Sequence, residues 1–108
     1  MPTNTEGLLE HLTLLFPSFG VYIRNEELGH GGLTYHSIMS SFSYYFSRSS
    51  FTEKQLKKLG DFINQSVINE DSIENAISTG FLEHLRQINK YALIAPYLSA
   101  LAKRKTRA

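Results

Sequence analysis

The 108-residue chain contains no cysteine, which excludes disulfides, thiolate nucleophiles and the thiolate zinc sites on which many small domains rely. That fits a reducing compartment without requiring one. A long apolar run near the start is also missing. In MPTNTEGLLEHLTLLF the longest uninterrupted apolar stretch is Leu14 to Phe16, too short for the core of a signal peptide or for a membrane span. A cytoplasmic protein without a membrane partner is therefore expected. Motifs that would name a reaction are absent as well: there is no nucleophile elbow, no phosphate-binding loop and no paired-carboxylate pattern. The expectation is a protein that is not an enzyme and needs no cofactor.

The excess of positive charge is also scarce where it would matter. Net charge is +1, and Lys103, Arg104, Lys105 and Arg107 hold four of the eleven cations within the last six residues. Seven cations then face ten acids in residues 1–102, leaving that body at −3. A mildly acidic body argues against a dedicated nucleic-acid surface, whose affinity comes largely from clustered Lys and Arg on phosphates.

What is present is helical pattern, in a chain whose 42% hydrophobic content suffices for one modest core. The strongest signal runs from Asp71 to Asn89. At 100° per residue Ile73, Ala76, Ile77, Gly80, Phe81, Leu85 and Ile88 share one broad face, while Leu82 makes a second side apolar. Asp71 with Glu74 repeats the capping pattern found at Ser50 to Glu53 and Thr52 to Gln55, so a helix from about residue 53 to 69 and this one form a tight αα-hairpin across Asn69 and Glu70.

Asn4 is placed to cap a first helix over about 5–16, ended by Pro17. The segment FGVYIR, residues 19–24, is β-prone and reads as an extended segment or a half-turn, the extended form being preferred. NEELGHGG, residues 25–32, has three glycines in four positions and reads as the most flexible loop. Leu33 to Arg48 carries an apolar stripe of Tyr35, Ile38, Met39, Phe42, Tyr45 and Phe46 opposite a serine face. A last helix over about 91–103 contains Pro96, so it kinks there or begins in earnest there. The expected fold is all-α: a compact bundle of about five helices over residues 1–102, with 103–108 as a basic tail.

Four histidines raise metal and acid–base chemistry, but the spacings among His11, His30 and His36 match no zinc signature. No metal site is expected. His84 falls within the apolar stripe, and a buried histidine hydrogen-bonded within the core is the preferred reading. With Ile77, Gly80, Phe81 and Leu85 it is assigned to the structural core, Gly80 allowing close approach of a neighbouring helix at about 1 kcal/mol in propensity. An active site built from His30 or His36 with Glu26 and Glu27 would lack any element to order those groups.

Tyr44 stands out differently. It lies about 200° round its helix from the centre of the apolar stripe, among Ser37, Ser40, Ser41 and Arg48. Tyrosine among small polar residues suits a protein-binding surface, because it offers a large contact area for little side-chain entropy. Glu26, Glu27, His30, Tyr44 and Arg48 are therefore the candidate partner-binding residues.

The segments FTEKQLKKLGDFIN and DSIENAISTGFLEHL, with their Asn75, Ala76, Gly80, Phe81, Leu82, Glu83 and Leu85 arrangement, resemble the helical hairpin of small all-helical bacterial immunity proteins. Those accompany contact-dependent inhibition and other polymorphic toxin systems. The resemblance covers about residues 50–90 and implies fold more than function. Its functional implication is an antitoxin that occludes the active site of a cognate toxin, a basic nuclease domain being the expected partner; no site residue is carried over from it. The alternative is a small nucleic-acid-associated regulator that uses the basic tail. Whether the protein self-associates is not written in the sequence.

Overall fold

The computed structural model describes residues 4–25, 34–69 and 71–106. Seven α-helices occur among them and no strand. The radius of gyration, 12.7 Å, matches the roughly 13 Å of a compact chain of this length.

Asn4 caps α1 (Thr5–Leu15), its side-chain oxygen accepting the Gly7 N–H at 2.7 Å. Pro17 does not merely end that helix; it opens α2 (Pro17–Asn25), where a fixed φ and a missing N–H cost nothing at the first helical position. This corrects the extended reading of residues 19–24. Val21, Tyr22 and Ile23 carry the β-prone signal, yet Phe19 and Ile23 bury one turn apart, and packing of that face overrides local propensity. A Cβ on Gly20 would come within 2.7 Å of Thr13 Cγ2, so the glycine lets α2 fold back closely on α1.

In α3 (Tyr35–Arg48) Thr34 and Ser37 form a reciprocal capping box, Ser37 N–H to Thr34 Oγ1 at 3.0 Å and Thr34 N–H to Ser37 Oγ at 2.9 Å. Of the two overlapping patterns expected before α4 (Glu53–Ser66), the one formed is Thr52 with Gln55. Gln55 Nε2 also donates to the Leu15 carbonyl at 3.2 Å, satisfying a group orphaned at the end of α1. Asp71 caps α5 (Ser72–Gly80) through the Glu74 N–H at 2.8 Å.

The long helix expected over residues 71–89 is broken. It ends at Gly80, Phe81 leaves helical geometry at φ −131° and ψ −60°, and Leu82–His84 continue as a 3₁₀ turn. Phe81 and Leu82 are both fully buried. Asn89, at φ 59°, closes the segment. Its N–H bonds to the Arg86 carbonyl at 3.3 Å and the Lys90 N–H to that of Leu85 at 3.0 Å, the pairing of a Schellman stop.

The last expected helix is also divided, into α6 (Tyr91–Ile94), a 3₁₀ turn at Ala95–Tyr97 that contains Pro96, and α7 (Ala100–Arg104). Asn64 of α4 clamps the break. Its Nδ2 donates to the Tyr97 carbonyl at 3.0 Å and its Oδ1 accepts the Ser99 N–H at 2.8 Å.

The core is aromatic at its centre: Phe42 meets Phe16, Phe19 and Phe81 at centroid distances of 5.1–5.3 Å, and Phe46 meets Phe81 at 5.2 Å. The turn between α4 and α5 is short, as expected, but the most extensive pairing in the molecule is that of α3 with α5. Among the described residues no helix is long and apolar enough to cross a membrane.

Candidate partner-binding groove

Alpha-helices α3 and α5 cross at Gly80. A Cβ there would lie 2.9 Å from Met39 Cβ and 3.5 Å from the Ser40 nitrogen, so the missing side chain is what lets the two backbones approach. To one side of the crossing His36 Nε2 meets Thr79 Oγ1 at 2.8 Å. To the other side the break after Gly80 swings the chain away from α3 and opens a groove lined by Ser40, Ser43, Tyr44, Ser47, Gly80, His84 and Ile88.

The groove holds about 200 Å³. At ~30 Å³ per water that is roughly six or seven water molecules, below the roughly 300–1,000 Å³ of most small-molecule sites. It is the size of a side chain rather than of a cofactor. Among the described residues no cluster of three His, Cys, Asp or Glu is arranged to hold a metal ion.

Tyr44 stands on the rim with half of its surface exposed (50%), on the serine face where its helical phase puts it. It is not free to swing. Its ring stacks on Tyr22 at 6.2 Å and 25°, its hydroxyl accepts from Arg48 Nη1, and the same guanidinium lies 5.2 Å from its centroid. Arg48 and Tyr44 are one turn apart, so the pair is built within α3. Ser47 turns inward on its own helix, donating to the Tyr44 carbonyl at 2.6 Å.

His84 corrects the sequence reading. Ile77, Gly80, Phe81 and Leu85 are buried as assigned, but His84 is exposed on the groove wall, its Nδ1 3.2 Å from Gln87 Oε1. The reason is the break at Phe81: with φ −131° and ψ −60° it leaves helical geometry, so the turn Leu82–His84 does not continue the axis of α5 and the helical phase that placed His84 on the apolar stripe no longer applies. The Gln87 amide oxygen is an acceptor, so Nδ1 is the donor in that contact. Of the other histidines, His11 is half-buried against Phe62 at a centroid distance of 4.3 Å, and burial lowers its pKa below the ordinary 6.5.

Of the five partner-binding candidates, the structure brings Tyr44 and Arg48 together. Glu26, Glu27 and His30 lie outside the described residues, as do Glu70 of the hairpin turn and most of the glycine-rich loop. Sequence reasoning recognised the serine face of α3 but did not place His84 and Ile88 opposite it. The sequence carries no signal for this, since adjacent buried apolar pairs such as Ile38 and Met39 or Phe62 and Ile63 also occur within unbroken helices of the same chain.

The basic terminus is drawn into the fold rather than trailing from residue 103. Lys105 Nζ meets Glu74 Oε1 at 2.6 Å, Ser78 Oγ donates to the same oxygen at 3.1 Å, and Thr106 is fully buried. Lys103 and Arg104 stay exposed.

A family model described as a domain of unknown function (DUF7674) matches residues 9–107. The chain belongs to that family. The DUF7674 match spans the whole groove and the docked C-terminal segment, so both lie within the family unit. No curated protein and no solved structure matches the chain.

Proposed function

We propose that the protein is an immunity protein: it binds a cognate toxin in the cytoplasm and neutralises it by covering the toxin's working surface, with the groove face of α3 as the contact. The observation that carries the binding reading is Tyr44, half-exposed yet held by Tyr22 on one side and Arg48 on the other. An aromatic side chain fixed before the partner arrives loses little entropy on binding, and such residues dominate interface energetics. The groove beside it has room for one partner side chain.

The choice of toxin as partner rests on the resemblance of residues 50–90 to immunity proteins. A nuclease is the favoured toxin class, because a cationic active site would be steered towards the −3 charge of residues 1–102. On α1, Glu6 and Glu10 are exposed near the largely uncovered Leu14 and contribute to that charge.

The test is to co-express candidate toxin domains, nuclease domains first and including any encoded beside this gene, with and without this protein. Protection and a co-purifying complex are expected. Tyr44→Ala should weaken the complex by about 1–2 kcal/mol while leaving the thermal transition of the free protein near its original position. Unaltered toxicity with no complex refutes the proposal, and a complex indifferent to Tyr44 moves the interface elsewhere.

A further inference from the structure

We infer that the outer face of α1 is a docking surface for a basic amphipathic segment of a partner protein. One apolar side chain of that segment rests on Leu9 and Leu14, and Lys or Arg residues beside it meet Glu6 and Glu10. The inference deepens the partner-binding proposal and rests on it only for the identity of the partner as a toxin.

Helical phase places the face. Leu8 and Leu12 turn one side of α1 into the core, so Glu6, Glu10, Thr13 and Leu14 fall on the opposite side, with Leu9 at its edge. These five side chains line an open groove of about 290 Å³, larger than the one of about 200 Å³ beside Tyr44. Leu9 and Thr13 are half-buried in it, and Leu14 is 76% exposed. A lone exposed leucine is ordinary, but the exposed apolar surface recurs on the next helix. Gly20 of α2 packs on Thr13, Phe19 and Ile23 are buried, and Val21, on the side of α2 away from them, is 59% exposed. Tyr22 of the same helix stacks on Tyr44, so α2 joins the α1 face to the rim of the first groove.

Charge selects the occupant. Glu6 lies in the first turn of α1, where the helix dipole favours it. Glu10 lies one turn further on, and the two carboxylates repel each other along the same face. Helix α1 contains no Lys or Arg to offset them, and among the described residues the salt bridge is that of Glu74 with Lys105, so neither Glu6 nor Glu10 has a cationic partner. A purely apolar partner would strip water from both carboxylates and replace it with nothing. A partner with cations at that spacing pairs them while its apolar residue covers Leu14, and the same charges steer its approach. Among the described residues no third metal-binding side chain stands with the two glutamates, which suits the ammonium or guanidinium of a side chain better than a metal ion.

The experiment is a titration of the full ¹⁵N-labelled chain, followed by amide shifts, with three blocked helical peptides of equal length. The first has a central Leu with Lys one turn to either side; the second replaces the Lys residues by Gln, and the third replaces the Leu by Ser. The Lys–Leu peptide is expected to move the amides of residues 6–14 and 20–22, to bind most tightly and to weaken with added salt. The double variant Glu6→Gln, Glu10→Gln should weaken it roughly tenfold, and Leu14→Ser roughly fivefold. All three positions are exposed or on the rim, so an unchanged thermal transition identifies these losses as losses of contact. Equal binding of the Ser peptide would reduce the effect to bare attraction by an acidic body and overturn the assignment. Indifference to both variants, shifts confined to other regions, or no response at millimolar peptide would also overturn it. So would concentration-dependent shifts of the same amides without peptide that vanish in Lys103→Glu, Arg104→Glu, since the occupant would then be a second copy of the chain. Toxin protection that depends on Tyr44 but survives both α1 variants would sink the α1 surface alone. Peptide binding on α1 without toxin protection would sink the immunity reading alone.

Discussion

At the scale of single residues, the energetics are set by a few side chains in unusual places. Asn89 holds a left-handed backbone at φ 59°, which a glycine adopts without a steric penalty. Asn89→Gly should raise stability by about 0.5–1 kcal/mol in urea unfolding, and a loss of stability would mean that the asparagine side chain contributes more than its backbone strain costs. His11 predicts a pH effect. Burial against Phe62 lowers its pKa, so just below pH 6.5 the unfolded chain binds a proton that the folded chain resists. Its contribution is intact above 6.5 and is lost as pH falls through the lowered folded value. His11→Phe keeps the ring contact and removes the titration. Its urea midpoint should fall less than that of the parent between pH 7.5 and 5, and identical slopes would refute the assignment.

At the scale of elements, the crossing of α3 on α5 is the critical joint, and Gly80 is its pivot. Gly80→Ala would gain helix propensity on the exposed-peptide scale, but its Cβ would meet that of Met39 at 2.9 Å. Neither atom can move without moving a backbone. Overpacking of this kind costs typically 1–3 kcal/mol, so the variant should unfold at lower denaturant despite its better propensity, and it should perturb the amide resonances around Ser40 and His84. A stabilised Gly80→Ala would show that the crossing relaxes easily. The close approach at Gly80 was legible in the sequence, as were the caps at Asn4, Thr52 and Asp71, because each is a short-range pattern with one physical cause. The division of residues 71–89 was not, since periodicity reports which residues are apolar and not where the phase slips. The same blindness misplaced His84. In α2, β-branched residues masked a helix whose existence depends on contacts with α1 and α3, which no local window contains. For the groove, one wall was readable as a serine face around Tyr44; the other follows from the phase slip and could be found only in three dimensions.

At the scale of the whole molecule, the C-terminal residues lock the last turn onto α5. Glu74 is 13% exposed and Lys105 31% at the side chain, so their pair is partly shielded from salt and should exceed a fully exposed bridge. A double-mutant cycle with Glu74→Gln and Lys105→Met should give a coupling of about 1 kcal/mol that shrinks in 1 M salt; a coupling near zero would show that the contact has no energetic consequence. This arrangement also changes how the tail should be tested for nucleic-acid contact. Deleting residues 103–108 removes Lys105 and the buried Thr106 together with the charges, so a loss of binding would be indistinguishable from a loosened α5. Charge reversal at Lys103 and Arg104, both exposed, separates the two. The double variant Lys103→Glu, Arg104→Glu should keep its stability within about 0.5 kcal/mol. If the terminus is a nucleic-acid contact, binding to a duplex should fall steeply with salt in the parent and vanish in that variant. If the groove on the α3 face is the working surface, the same variant should protect against the toxin as well as the parent does.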